Sequence, residues 1–202
     1  MKIELMNDTF EMENNKESVD KLFERIESIL EDGQYAFDCM EIDGSQVYEN
    51  YYVYLSDNLT GIKEVKVAII SVDELIRNIL TSTVEYVDGA VPEIGILSDE
   101  FYKNPEQGTW AKLQQLIEGI EWINSGAEVI LNSKKSFGGI YEYVKVASEM
   151  RSKLLELEEA IRSSDMILIG DLLSYEIIPM LESIKNTAND IVNYGVDKDA
   201  SN

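Results

Sequence analysis

The chain contains no histidine among its 202 residues. Histidine is the usual general base near neutral pH and the commonest metal ligand, so Ser-His and Cys-His nucleophile pairs are excluded. Zinc sites need histidine or several cysteines, and Cys39 is the single cysteine. A Gly-x-x-x-x-Gly-Lys-Ser/Thr loop, which would cradle phosphates, is absent as well. These absences predict a protein without a cofactor or metal and favour a function other than catalysis.

Basic residues are scarce too. The 17 lysines and arginines face 39 aspartates and glutamates, which gives a formal net charge of −22. Such a surface repels phosphate backbones and anionic lipid headgroups, because both are bound by clustered Lys and Arg. We therefore expect no binding to nucleic acid or to membranes. A basic or helical protein partner matches the charge better.

Long apolar runs are missing. No stretch approaches the roughly 20 apolar residues that span a bilayer, and residues 1–8 lack the apolar segment of a signal peptide. A lone cysteine excludes an internal disulfide and fits a reducing compartment. The sequence therefore predicts a cytoplasmic protein.

Residues 1–70 alternate between strand and helix signals. Short alternating segments surround Asn7, an amphipathic helix ends at Gly33, and Asp43-Gly44 is a strong signal for a two-residue hairpin turn. A short helical segment and an apolar strand follow. This order of hairpin, helix, hairpin, short helix and strand resembles the β-grasp, or ubiquitin-like, arrangement. The resemblance implies an α+β N-terminal domain; no ubiquitin-type surface patch is present, so conjugation is not implied.

After residue 70 the apolar period becomes helical. Ser71 and Glu74 have the spacing of a capping box, and Pro92 predicts either a kinked helix or two shorter helices. Helices with one apolar face must pack together, so residues 71–193 predict an antiparallel bundle of about four helices. The polar tail, residues 194–202, is predicted to be disordered.

One predicted helix carries a heptad pattern. Its apolar positions include Ile140, Ala147, Leu154 and Ile161. If this seam is exposed, the chain could associate with itself, which predicts a possible homo-oligomer.

Four tyrosines cluster after the second hairpin, at Tyr48, Tyr51, Tyr52 and Tyr54. Tyrosine offers a large contact area with a polar tip and is enriched at protein interfaces. Two interpretations stay open: the cluster is a partner-binding surface, or it packs the N-terminal domain against the bundle.

Asp171, Tyr175 and Glu176 stand within a largely apolar stretch. If these polar groups are buried, each carboxylate needs a partner, since an unpaired buried charge is costly; Arg77, Arg151 and Lys153 are candidates. A buried pair, an exposed position and a ligand or magnesium site all remain open.

The sequence thus predicts two classes of function. The first is a non-catalytic interaction protein, an adaptor or assembly factor. The alternative is a carboxylate- or magnesium-dependent enzyme that acts on a small ligand through the region of Asp171 and Glu176.

Overall fold

The computed structural model describes residues 1–47, 49–103, 105–133, 135 and 138–195. The chain divides into two compact units, Met1–Leu75 and Ile76–Asn202. Tyr48 and tail residues 196–202, which carried sequence expectations, lie outside the described residues. The expectation of disorder is wrong at the start of the tail, because a helical segment continues to Gly195.

The first unit contains five strands and two helices. They are β1 (Lys2–Leu5), β2 (Asp8–Glu11), α1 (Lys16–Leu30), β3 (Tyr35–Ile42), β4 (Ser45–Val47), α2 (Tyr51–Asn58) and β5 (Glu64–Ser71). The strands form one sheet in the order β2-β1-β5-β3-β4. Strands β1 and β5 are parallel, and the other neighbouring pairs are antiparallel. A mixed sheet at the N-terminus confirms the α+β class.

The core of this unit follows from the apolar period of its elements. Alternate residues of the strands are buried together with one face of α1. Full burial of an aliphatic side chain is worth about 1.5–3 kcal/mol, so this shared core holds the helix on the sheet. The buried side chains of β1, α1 and β5 include Ile3, Leu5, Val19, Leu22, Ile26, Val65 and Val67.

The hairpin between β3 and β4 has the predicted turn. Ile42 pairs with Ser45, which leaves Asp43 and Gly44 as a two-residue loop. Their φ angles are 49° and 82°, as a type I′ turn requires. The cap of the helix that begins at Val72 is also as predicted, because the Glu74 backbone N–H donates to the Ser71 hydroxyl at 3.1 Å.

The rest of the chain is helical. Its elements are α3 (Val72–Lys103), α4 (Gln107–Asn132), α5 (Ile140–Arg162), α6 (Met166–Asp171) and α7 (Ile178–Asp190), with π-helical segments at Leu172–Ile177 and Ile191–Gly195. Of the two forms expected around Pro92, the structure has one continuous helix, α3. In the described part of the chain, no helix is both long and apolar enough to cross a membrane.

The helices of the second unit contact one another in a closed order. Phe101 near the end of α3 packs edge-on against Trp110 at the start of α4, with ring centroids 5.1 Å apart. Helix α4 lies against α5, and α5 lies against α7. Lys185 of α7 reaches back to Asp88 of α3 at 2.9 Å. These contacts connect α3, α4, α5 and α7 within the second unit.

The heptad seam of α5 faces its own unit. Ala147 is 1% exposed and Leu154 is 8% exposed, so the expectation of an exposed seam is wrong at both positions. Their burial is explained by the neighbouring helices, which cover this face of α5.

Candidate functional site

The described tyrosines of the predicted cluster lie on α2 and make contacts inside the first unit. Tyr51 is half-buried, with its ring centroid 4.9 Å from that of Phe37. The ring of Tyr52 meets Phe23 edge-on at 5.4 Å. Part of the cluster therefore packs α2 onto its own unit.

The phenol of Tyr52 has a defined partner. Its hydroxyl donates to the Asp20 carboxylate of α1 at 2.6 Å. That hydrogen bond to a carboxylate raises the pKa of Tyr52, because losing the proton would place two negative groups together. Tyr54 is 42% exposed, so it is the described tyrosine of the cluster that offers most surface to a partner.

Asp171 is half-buried and engaged by a tyrosine. The Tyr102 hydroxyl of α3 donates to its Oδ1 atom at 2.6 Å, and this bond raises the pKa of Tyr102. The ring of Tyr102 lies so close to the backbone of Gly170 that a β-carbon there would stand 2.7 Å from ring carbon Cε1. Glycine therefore lets the aromatic ring cross the helix and reach the carboxylate.

Tyr175 and Glu176 are not buried. Tyr175 is 72% exposed, and the Glu176 carboxylate lies 3.5 Å from Lys153 Nζ with 46% of its side chain exposed. Of the three interpretations that the sequence left open, the exposed position fits both residues. Lys153 was one of the partners considered from the sequence; it also bonds Glu156, which is the main reason that the pKa of Lys153 is raised.

The π-helical segment explains the exposure of Tyr175. Pro179 has no N–H to donate, and the Ile178 N–H bonds the Leu173 carbonyl five residues back. The wider turn shifts the apolar stripe, so that Leu173 and Ile177 are fully buried. A regular 3.6-residue period instead places Tyr175 on the same face as Leu172 and Ile178.

Two buried polar groups of the second unit were not singled out from the sequence. The Ser98 hydroxyl, 1% exposed, donates to the Gly170 carbonyl at 2.9 Å and lies 2.7 Å from the Ser174 hydroxyl. Thr83 lies 3.1 Å from the Tyr143 hydroxyl in the core. Their positions on the apolar stripe of α3 were the available signal. Both have hydrogen-bond partners, so they serve the packing of α3.

Carboxylates do not converge in the described part of the chain. Among those residues, no group of three or more Asp, Glu or Cys side chains is arranged to hold a metal ion. Asp171 and Glu176 are held by Tyr102 and Lys153 respectively.

A long surface depression lies between α4 and α5, and we call it the α4–α5 groove. Three adjoining cavities of about 390, 180 and 460 Å³ make it up. The first two share Asn124, Glu128 and Arg151; the last two share Leu131, Val144 and Ser148. The wall that α5 forms is about 26 Å long from Tyr141 to Glu158, at 1.5 Å per residue along the helix axis.

Three exposed apolar side chains border this groove. Leu131 is 60% exposed, Tyr141 is 81% exposed and Leu155 is 64% exposed. Each follows a residue of the predicted apolar stripe, at Ile130, Ile140 and Leu154. An apolar residue directly after a stripe residue widens the apolar face by about 100° of helix rotation. These pairs of adjacent apolar residues were the sequence signal for the groove, and the sequence analysis did not use them.

The centre and ends of the groove differ in chemistry. At the centre, Arg151 donates to Glu128 at 3.1 Å across the two helices. The end near Ile117 is bordered by Glu121 and Glu158, and the end near Leu131 by Lys135, Lys145 and Glu149. Among these border residues, the Ile117 end is acidic, whereas two lysines outnumber one carboxylate at the Leu131 end.

The sequence model of the family described as "Domain of unknown function (DUF8042)" matches residues 78–187, more than half of the chain. The chain belongs to this family. The matched segment contains the α4–α5 groove and the residues around Asp171, whereas the tyrosines on α2 lie before it. No curated protein and no solved structure matches the chain.

Proposed function

We propose that this chain is a non-catalytic interaction protein, an adaptor or assembly factor, and that the α4–α5 groove is its partner-binding surface. The observation that carries the proposal is the exposure of Leu131, Tyr141 and Leu155 along one continuous groove. Exposed apolar side chains that border a common depression are typical of protein-binding sites. The groove also lies within the segment that defines the family.

The proposal includes a finer description of the fold. We infer a β-grasp arrangement for the first unit, supported by the strand order β2-β1-β5-β3-β4 with β1 and β5 parallel. For the second unit we infer an antiparallel four-helix bundle, supported by the closed order of helix contacts. Such a bundle presents grooves between neighbouring helices to a partner. A cytoplasmic location is also proposed, and the lone Cys39 supports it.

Site-specific photocrosslinking in the native cell tests the groove. A photoreactive phenylalanine analogue at Leu131 or Tyr141 should form one discrete crosslinked product with another protein. The same analogue at Ile96, which is 51% exposed on α3, is the control. Tyr54 serves as a second test position, because the tyrosine surface on α2 stays a prediction.

The result at each position distinguishes the surfaces. A product at Leu131 and Tyr141 but not at Ile96 supports the groove. Products at Tyr54 alone would move the binding surface to the first unit. An equal pattern at all positions, or none at the groove positions, would contradict the proposal.

The carboxylate-dependent enzyme stays a prediction from the sequence. Asp171 and Glu176 each contact a different side chain in the structure, Tyr102 and Lys153. Their engagement in separate contacts favours the interaction function over this alternative.

A further inference from the structure

We propose that the occupant of the α4–α5 groove is an amphipathic helix with one basic end, contributed by a partner protein. The inference rests on the proposed function and adds the chemistry of the partner.

The charge at the ends of the groove indicates that the ligand has a basic end. Glu121 and Glu158 are exposed at the Ile117 end, and within the described residues neither has an ion-pair partner. At the other end, Lys145 is paired with Glu142 at 3.6 Å. Glu149 is exposed at this end too, but it stands beside Lys135 and Lys145, so the excess of negative charge lies at the Ile117 end. A ligand with lysines or arginines at the matching end gains attraction there and loses none elsewhere.

The spacing of the apolar side chains in the groove indicates the spacing of apolar side chains on the ligand. Val144 and Leu155 lie 11 positions apart on α5, which corresponds to about 16 Å or roughly three helical turns. Between them the Glu128–Arg151 ion pair crosses the centre of the groove. A matching ligand has apolar side chains about three turns apart on one face and a polar residue between them.

The shape of the groove selects a helix. Two parallel walls of side chains, about 26 Å long, accommodate a helix of about 17 residues. A helix satisfies its own backbone groups and presents one apolar face, as in other helix-in-groove complexes. An extended segment would need backbone hydrogen-bond partners, and the described walls of this groove are helical.

A second copy of the chain is the competing occupant, because a two-fold arrangement would set the Glu121 end of one groove against the Lys145 end of the other. The net charge of −22 on each copy opposes that association. Light scattering of the purified chain separates the two cases.

The test uses two helical peptides of about 17 residues. Both carry leucines on one face about three turns apart; one has three lysines at one end, and the other has three glutamates there. Fluorescence anisotropy at low salt should show binding of the lysine peptide to the full chain. Glu121→Gln with Glu158→Gln should weaken that binding about fivefold, because two exposed ion pairs are lost. The matched control, Glu85→Gln with Glu182→Gln, makes the same change in net charge on other surfaces and should leave binding unchanged.

A second pair of variants reports on the apolar side chains of the groove. Leu131→Ser and Leu155→Ser, both at exposed positions that should not affect folding, should each reduce binding of the lysine peptide.

Four outcomes would overturn the inference. The first is equal binding of the two peptides to the chain. The second is that Glu85→Gln with Glu182→Gln weakens binding of the lysine peptide as much as Glu121→Gln with Glu158→Gln does. The third is a dimer in light scattering that Glu121→Gln with Glu158→Gln dissociates. In the fourth, neither peptide binds although Leu131 crosslinks to a partner in the cell; the proposed function then stands without this ligand chemistry. Loss of the Leu131 crosslink itself would instead remove the proposed function.

Discussion

Two glycines of α4 let α3 approach closely. A β-carbon at Gly119 would overlap the phenol ring of Tyr86, and one at Gly126 would stand 2.8 Å from the Ile79 Cγ2 atom. The two glycines are seven residues apart, as are the two side chains that they receive. Seven residues correspond to about two helical turns, so the same small-residue contact occurs twice along the helix pair.

Gly119→Ala should therefore lower the free energy of unfolding. Alanine is favoured over glycine inside a helix by about 1 kcal/mol, but displacing the Tyr86 ring should cost about 1–3 kcal/mol. Gly89→Ala is the control, because Gly89 is exposed in α3 and a β-carbon added there would meet no atom within 4 Å. Urea denaturation should show Gly89→Ala more stable than the parent chain and Gly119→Ala about 2 kcal/mol below Gly89→Ala. Equal stability of the two variants would contradict this packing.

Tyr143 is a buried phenol whose environment disfavours ionisation. Burial is the main cause that raises its pKa, and the hydrogen bond with Thr83 opposes the shift. In the unfolded chain a tyrosine loses its proton near pH 10. The raised pKa therefore leaves stability unaffected below about pH 10 and lowers it as the pH rises toward the folded-state pKa.

Tyr143→Phe should flatten this alkaline loss of stability. The free energy of unfolding should fall less steeply above about pH 10, by up to about 1.4 kcal/mol per pH unit for one proton. Near pH 7 the variant should lose only about 1 kcal/mol, because Thr83 keeps its bond to the Ile79 carbonyl at 2.8 Å. Tyr141→Phe, which changes an 81% exposed residue, is the control. Identical pH profiles for Tyr143→Phe and the parent chain would rule out this role of Tyr143.

At the scale of elements, the turn of the β3–β4 hairpin is hydrogen-bonded to a third strand, β5. The Asp43 Oδ1 atom accepts the Lys63 N–H at 2.9 Å and the Glu64 N–H at 2.8 Å, at the start of β5. The Asp43 backbone N–H also donates to the Glu64 carbonyl. The turn residue therefore fixes where the central strand begins.

Asp43→Ala should destabilise the first unit by about 2–3 kcal/mol, since two hydrogen bonds are lost and alanine disfavours a positive φ angle. Asp43→Asn keeps an oxygen acceptor and tolerates that backbone angle, so it should cost less than about 1 kcal/mol. Hydrogen exchange at the Lys63 and Glu64 amides should accelerate in the alanine variant only. Similar exchange in both variants would show that the carboxylate does not anchor β5.

The sequence reveals those elements that local rules determine. The Asp43-Gly44 turn and the Ser71 cap were predicted correctly, because each depends on a few neighbouring residues. The heptad positions of α5 were identified from the sequence. Their burial was not predicted, because it depends on which helices cover them. The exposure of Tyr175 could not be decided from the sequence, since the π-helical segment changes the helical period. The groove was not predicted, because it forms only where α4 and α5 lie side by side in space.

For the whole molecule, charge is the dominant feature. A net charge of −22 on 202 residues makes the folded chain repel itself. Ion pairs such as Lys21–Glu17, Arg151–Glu128 and Arg162–Glu159 are exposed to solvent. Each such pair stabilises the fold by less than about 1 kcal/mol. Repulsion among the excess carboxylates should therefore outweigh what these pairs contribute.

The free energy of unfolding should rise as NaCl is added up to about 0.15 M, where the screening length shortens to about 8 Å. Thermal unfolding at neutral pH measures this directly. Sucrose at matched osmolality is the control, since it does not screen charge. A melting temperature that falls with NaCl would mean that the ion pairs dominate.

The most direct measurement of the central claim is a methyl-labelled NMR titration of the full chain with the lysine-bearing helical peptide. Chemical-shift changes are expected at methyl groups that line or border the α4–α5 groove, those of Ile117, Leu131, Val144 and Leu155. Methyl groups of Val53 and Leu168, exposed on other elements, should stay unchanged. Shifts at Val53 or Leu168 without shifts along the groove, or no shifts from a folded chain, would contradict it.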